Sequence, residues 1–212
     1  MKRPRYAELK GADVRMNSVT FLATTNTNAS LVVPTLILHG VNSQERVGDK
    51  ISLHSLRYRA CLEISSFASA TTGNYLGNAY RIVVVYDAFP GGSNPTFETI
   101  FGLLDAAGTV THDVLDPVNY AVTRRFKVLS DLVRYVEFPP APPASGTVNA
   151  VIQTVVHDEF ISLKGLETHY DKNDVTTSGQ IYIFFRARTN NGAVATVTTT
   201  NEAWCRLRYT DQ

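Results

Sequence analysis

Val, Thr and Ile together supply 55 of the 212 residues. Side chains branched at Cβ are stiff at χ1 and suit a pleated surface better than a helix. That excess constrains the fold before any motif is considered, and the chain reads as mainly β. Apolar residues make up 44% and charged residues 18%, a globular balance in a chain long enough to bury a sizeable core. One domain is the expectation. A parallel α/β fold needs a helix in each crossover, and only Phe97, Ile100, Phe101 and Leu104 recur at helical spacing, which predicts one short helix inside a connection.

Strands are expected at 18–23 and 31–39, the second at an edge or broken where Pro34 removes a ladder donor. Between Ile51 and Ile64 the apolar positions change parity near Ser55: Ile51 and Leu53 share one face, Leu56, Tyr58, Ala60, Leu62 and Ile64 the other. A bulge or a long bent strand produces such a switch. Tyr80 to Asp87 has a continuous apolar centre that suits a strand covered on both faces, and Pro90-Gly91-Gly92 ends it. Residues 105–122 read as irregular, and 124–138 as two strands or one bent strand. Pro139 to Gly146 holds four prolines and reads as an extended surface excursion. Further strands fall near 149–163, 180–188 and 202–210. In the last, Trp204, Arg206, Arg208 and Thr210 oppose Ala203, Cys205, Leu207 and Tyr209. About eight strands with long loops predict an all-β, two-sheet sandwich or jelly roll.

The formal net charge is only +1, so no whole-molecule field draws the protein to nucleic acid or membrane. The charge is nevertheless asymmetric. Lys2, Arg3, Arg5, Lys10 and Arg15 against Glu8 and Asp13 give the first fifteen residues +3 and leave −2 for the rest. Residues 1–17 are therefore expected to be a basic arm before a body spanning 18–212. Lys2-Arg3-Pro4-Arg5 is equally read as a solvated terminus or as an arm that meets phosphate and releases counterions. Arg125 with Lys127, and Arg206 with Arg208, are pairs on single strand faces. A charged solvent face is the default for both pairs, and a sequence-independent phosphate track on one wall is the functional reading. No apolar stretch approaches a membrane span, and no apolar block follows the basic start, so no membrane association and no export by a signal peptide are expected.

Two cysteines, Cys61 and Cys205, exclude a disulfide-dense scaffold and a Cys-rich zinc site. Phosphate-loop, dinucleotide, nucleophile-elbow and His-Glu-x-x-His motifs are absent, so no catalytic residues, metal or cofactor are assigned. His157-Asp158-Glu159 is the densest polar cluster. A cupin-like metal enzyme needs such ligands to converge, but neighbours in a strand point to opposite faces, and a solvated strand end is the expected reading. Phe89, Tyr120 and Phe138 are candidate interface anchors if they line loops.

Read in order, several segments resemble the coat proteins of small circular single-stranded DNA viruses of the geminivirus, genomovirus and circovirus-like kind. They are Arg46-Val47-Gly48-Asp49-Lys50-Ile51, Ile82-Val83-Val84-Val85-Tyr86-Asp87, Asn94-Pro95-Thr96-Phe97 through Ile100-Phe101, and Arg124-Arg125-Phe126-Lys127-Val128-Leu129. Leu163 to Tyr170, Gly179 to Phe184 and Leu207-Arg208-Tyr209-Thr210-Asp211 complete the pattern, which spans residues 45 to 211. The resemblance implies an eight-stranded antiparallel jelly roll that assembles with copies of itself into an icosahedral shell around a single-stranded DNA genome, RNA not being excluded. It implies residence in the virion, assembly in the host nucleus, and a host receptor as a further partner. Family members carry a longer, more Arg-rich arm, so either the arm is shortened in this sequence or body residues Arg125, Lys127, Arg206 and Arg208 are expected to share the work of packaging. The rival reading is a jelly-roll carbohydrate- or receptor-binding module, with exposed aromatic rings stacking on sugars.

Overall fold

The parity switch near Ser55 marks the strand on which the architecture hangs. A computed structural model describes residues 8–16, 20–21, 30–65, 78–104, 110–111, 115–136, 152–189, 197–199 and 203–212. Within these, β1 is Leu9–Met16, β2 Thr20–Phe21, β3 Ser30–Val32, β4 Lys50–Ser65, β5 Asn78–Asp87 and α1 Phe97–Ile100. Then follow β6 (Leu103–Leu104), β7 (Val110–Thr111), β8 (Phe126–Val136), β9 (Ile152–Tyr170), β10 (Thr176–Ser178), β11 (Gln180–Thr189), β12 (Val197–Thr199) and β13 (Ala203–Asp211).

Eight of these strands form the frame. One sheet runs β1-β13-β4-β9, with β10 added beside β9 and β12 and β2 continuing from β4; the other runs β3-β11-β5-β8. Within the frame the first strand pairs with the last, the second with the seventh, the third with the sixth and the fourth with the fifth, every pair antiparallel. That nesting is one long hairpin rolled over on itself, the jelly roll expected from the sequence.

β4 changes parity at a bulge. Arg208 pairs with Ser55 and Tyr209 with Leu53, so His54 is the extra residue. Its ring nitrogen Nε2 lies 3.2 Å from the Thr210 hydroxyl. Ile51 and Leu53 before the bulge, and Leu56, Tyr58, Ala60 and Leu62 after it, then all point into the core between the sheets. Along β8, Leu129 is likewise extra opposite Val84 and Val85, so 126–136 is one bulged strand.

β5 is covered on both faces, as its apolar run predicts. Tyr80, Ile82 and Val84 enter the central core. Val83 and Val85, with Tyr182 and Phe184 of β11, meet a second cluster formed by Phe97, Ile100, Phe101 and Phe126. The segment that follows β5 thus lies over the outer face of the second sheet. Three arginines fix it there, Arg186 by an ion pair to the segment, Arg81 by a carbonyl and a ring of the segment, and Arg125 by closing its two ends. Arg81 grips Asp131 through two bonds of 2.7 and 2.6 Å and donates to the Asp116 carbonyl, while its guanidinium lies 4.4 Å from the Phe101 ring. Arg186 bonds Glu98 at 2.8 Å, and Arg125 holds the buried Asp87 at 2.9 and 2.8 Å.

Some expectations shift. The helix is a single turn, because Phe101 is already extended and Leu103–Leu104 pairs with β7. The strand expected over 31–39 ends at Val32, before Pro34, and β3 is an edge strand. β9 runs on to Tyr170 through Gly165, whose φ is +86°. Leu9–Met16, read as part of an arm over 1–17, is instead a strand of the first sheet. The excess of basic residues hid its apolar positions, Ala12 and Val14. The proline run 139–146, Phe138 and residues 1–7 lie outside the described residues.

Gly179 sits at φ +72°, and a Cβ there would strike the Glu167 carbonyl oxygen; Gly92 has φ +79° with open space around it. Gly92→Ala therefore meets only the left-handed backbone penalty, about 1–2 kcal/mol. Gly179→Ala adds a backbone collision and is expected to lower the urea unfolding free energy by clearly more. Equal losses in the two variants would show that the β9–β11 approach is looser than described.

Candidate functional site

With the second sheet covered, the exposed strand face belongs to β1, β13, β4 and β9. Alternation sends every second residue outward, and pairing sets the rows. Asp13 of β1 lies opposite Arg206 of β13, which lies opposite Arg57 of β4, opposite Phe160 of β9. In the next row stand Arg15, Trp204, Arg59 and Asp158. On the other side Arg208 lies between Gly11 and Ser55. From Arg208 to Arg59 the rows thus carry, among the described residues, five arginines and two carboxylates.

Like charges placed directly across a strand pair are destabilising, and Arg206 faces Arg57. The outer strands relieve the clash. Asp13 receives two bonds from Arg206, at 2.6 and 2.7 Å, and Asp158 receives two from Arg57, at 2.8 and 2.6 Å. Each carboxyl is held below its ordinary range chiefly by its arginine hydrogen bond. Arg59 comes only to 3.6 Å from the already engaged Asp158, and exposed Arg208 has no ion pair among the described residues. Among the described residues, the positive charge of Arg208 and most of that of Arg59 is left over on this face.

Aromatic rings share it. Trp204 is half-buried with Arg206 at 5.9 Å from its ring, and Phe160 is 68% exposed. Two adjoining depressions follow β13. The larger, about 930 Å³, is lined by Arg15, Arg59, Cys61, Val156 and Trp204; the smaller, about 310 Å³, by Lys10, Ser43 and Arg208. Asp13, Gln44 and Arg206 line both, so they form one groove.

The residues singled out in the sequence fall in four places. Lys2, Arg3 and Arg5 lie outside the described residues. Lys10 is nearly buried, bonded to Asp211 at 2.8 Å and to the Glu45 carbonyl at 3.0 Å. Arg15, Arg206 and Arg208 share the open face, while Arg125 and Lys127 belong to the other sheet, so the two basic pairs do not make one wall. Arg125 is engaged by Asp87 and lies 4.7 Å over Phe126; Lys127 is exposed. Arg57, Arg59 and Asp13 were not singled out. The signal was present as a repeated Arg-x-Arg, at 57–59 and 206–208, but nothing in the sequence pairs those strands.

His157-Asp158-Glu159 is not a solvated strand end. It lies inside β9, with Asp158 outward and the other two inward. His157 Nε2 is 2.6 Å from the Tyr80 hydroxyl across the core, and Glu159 accepts from Tyr58 and Ser130, both at 2.5 Å. Protein partners occupy these polar atoms, and among the described residues no group of three His, Cys, Asp or Glu is placed to hold a metal ion. No described helix is long and apolar enough to cross a membrane.

No family model and no curated protein matches the chain. Among solved structures it is laid against infectious bursal disease virus of the Gx strain at 6% identity and TM-score 0.25, and of the Gt strain at 8% and 0.24. Those alignments cover 98% and 99% of this chain but only 40% and 39% of the viral chains. Superpositions that loose carry no inference.

Burial, reinforced by Arg134, lowers the His157 pKa below its usual 6.5. A lowered folded-state value means the unfolded chain takes up the proton first, so stability present above pH 6.5 is lost as pH falls through the folded value. His157→Gln retains a group able to bond Tyr80 and is expected to flatten the fall in melting temperature between about pH 7 and 5. An unchanged slope would assign the acid sensitivity elsewhere.

Proposed function

We propose that the protein is a viral capsid protein that works without catalysis, tiling a closed shell from copies of itself and enclosing a single-stranded nucleic acid, circular DNA in the reading the coat-protein resemblance favours. The observation that carries the proposal is the asymmetry of the jelly roll: one sheet is sealed beneath its own connection, while the other offers an arginine-rich face. A tile between solvent and a polyanion needs two such unlike sides. Lys2, Arg3 and Arg5 at the N-terminus and Lys127 add charge to the body, and a host nucleus and a host receptor belong to the same reading.

Loop ends supply candidate contacts between copies. Tyr120 is 90%, Val41 92%, Phe89 68% and Leu38 64% exposed. Exposed large apolar side chains on connections suit subunit interfaces, where aromatic anchors carry much of the binding energy, and a shell repeats each contact by symmetry.

The half-buried Trp204 in its depression also favours a second reading, a carbohydrate-binding module. The two part on oligomeric state. Native mass spectrometry and electron microscopy of purified protein across salt and pH are expected to reveal discrete closed particles. A stable monomer or trimer under every condition would overturn the shell. Tyr120→Asp, a surface change expected to alter stability by no more than about 0.5 kcal/mol, is expected to reduce particle yield while leaving the melting temperature in place.

A further inference from the structure

We infer that the groove along β13 is a single-strand nucleotide site in which Trp204 stacks on a base and Arg206, Arg208 and Arg59 hold the flanking phosphates. The inference rests on the capsid reading for its biological setting and on the open face for its chemistry.

The groove has two parts of different size and character. The smaller is polar and is lined by Arg208, which has no ion pair among the described residues, and by Arg206 with its partner Asp13. The larger is lined by the Trp204 indole and two valines, Val14 and Val156, together with Arg15, Arg59 and Arg206. A nucleotide is divided the same way, into a compact anion and a flat apolar ring. Guanidinium groups match phosphate oxygens in planar, two-pronged geometry, and base-on-aromatic stacking tolerates any sequence.

Spacing agrees with the assignment. Outward residues two apart on a strand lie about 7 Å from one another, so Arg208, Arg206 and Trp204 place two anion positions and one stacking position at successive steps along β13. An extended single strand repeats its phosphates on a comparable scale. Phe160, opposite Arg57, offers a further exposed ring one row over from Trp204. A duplex keeps its bases stacked on each other and has none to give.

The charge arrangement favours a polyanion over a second copy of this face. Arg206 and Arg57 each have a carboxylate on an outer strand, Asp13 and Asp158, whereas Arg59 comes only to 3.6 Å from Asp158 and Arg208 has no ion pair among the described residues, so the charge left for a phosphate is chiefly theirs. Two copies of the same face brought together would double the repulsion.

Trp204 is the protein's single tryptophan, so its emission reports on this groove alone. Full-length protein is titrated with oligothymidylate of about 12 nucleotides, with a duplex of equal length, and with heparin. Saturable quenching by the single strand is expected, with weaker binding in salt and no quenching by the duplex. Arg59→Ala with Arg208→Ala, both exposed positions, is expected to keep the melting temperature and to reduce the slope of log affinity against log salt by about 0.7 per arginine. Binding that leaves Trp204 emission unchanged, equal quenching by the duplex, quenching by heparin alone, or an unaltered slope in the double variant would each overturn the inference. Particle formation is scored separately by electron microscopy. Quenching without particles defeats the shell and spares the groove; particles without quenching do the reverse.

Discussion

Pairing on both edges of β4 is the constraint from which the rest follows. Its backbone donors and acceptors are met on one side by β13 and then β12, and on the other by β9. Buried backbone groups must be paired somewhere, and here the partners come from the far end of the chain. β13 carries in turn β1, so Leu9 lies beside Thr210. The open face is a product of that closure, since its rows are assembled from four strands that are remote in sequence. Such non-local pairing makes the topology one of the slower kinds to fold.

Asymmetry between the sheets has a separate cause. The segment after β5 folds back over its own sheet, carried by Phe97, Ile100 and Phe101 and fixed by Arg81, Arg186 and Arg125. Buried ion pairs contribute little net stability, because desolvation consumes most of the attraction, while losing one partner is costly. Their use here is consistent with specifying where the cover sits, with the apolar contacts supplying the adhesion. This accounts for Arg125, whose sequence context looked like a phosphate contact and whose side chain is turned to Asp87.

A polar seam crosses the core where β9 meets β5 and β8. His157 with Tyr80, and Glu159 with Ser130, link the two sheets through side chains, while Tyr58 donates to Glu159 from the neighbouring strand of the same sheet. Burial drives the Tyr80 hydroxyl up to about 12, so it remains a neutral partner for the imidazole. Polar groups in such a position tie the sheets in one relative register, since a shift would leave them buried and unpaired.

The sequence alone determined that the chain is β, that β4 breaks parity at Ser55, that β5 is covered twice and that β13 has one charged face. Each is a statement about alternation along a single strand, and the side-chain period of two is local physics. Tertiary structure decided which strands are neighbours. It joined two distant Arg-x-Arg runs into one face, drew Lys10 and Arg125 away into ion pairs, incorporated Leu9–Met16 into the first sheet and turned His157 inward. Register and cover depend on contacts between residues far apart in the chain, and those are set by the closure of the whole roll, which no local pattern encodes.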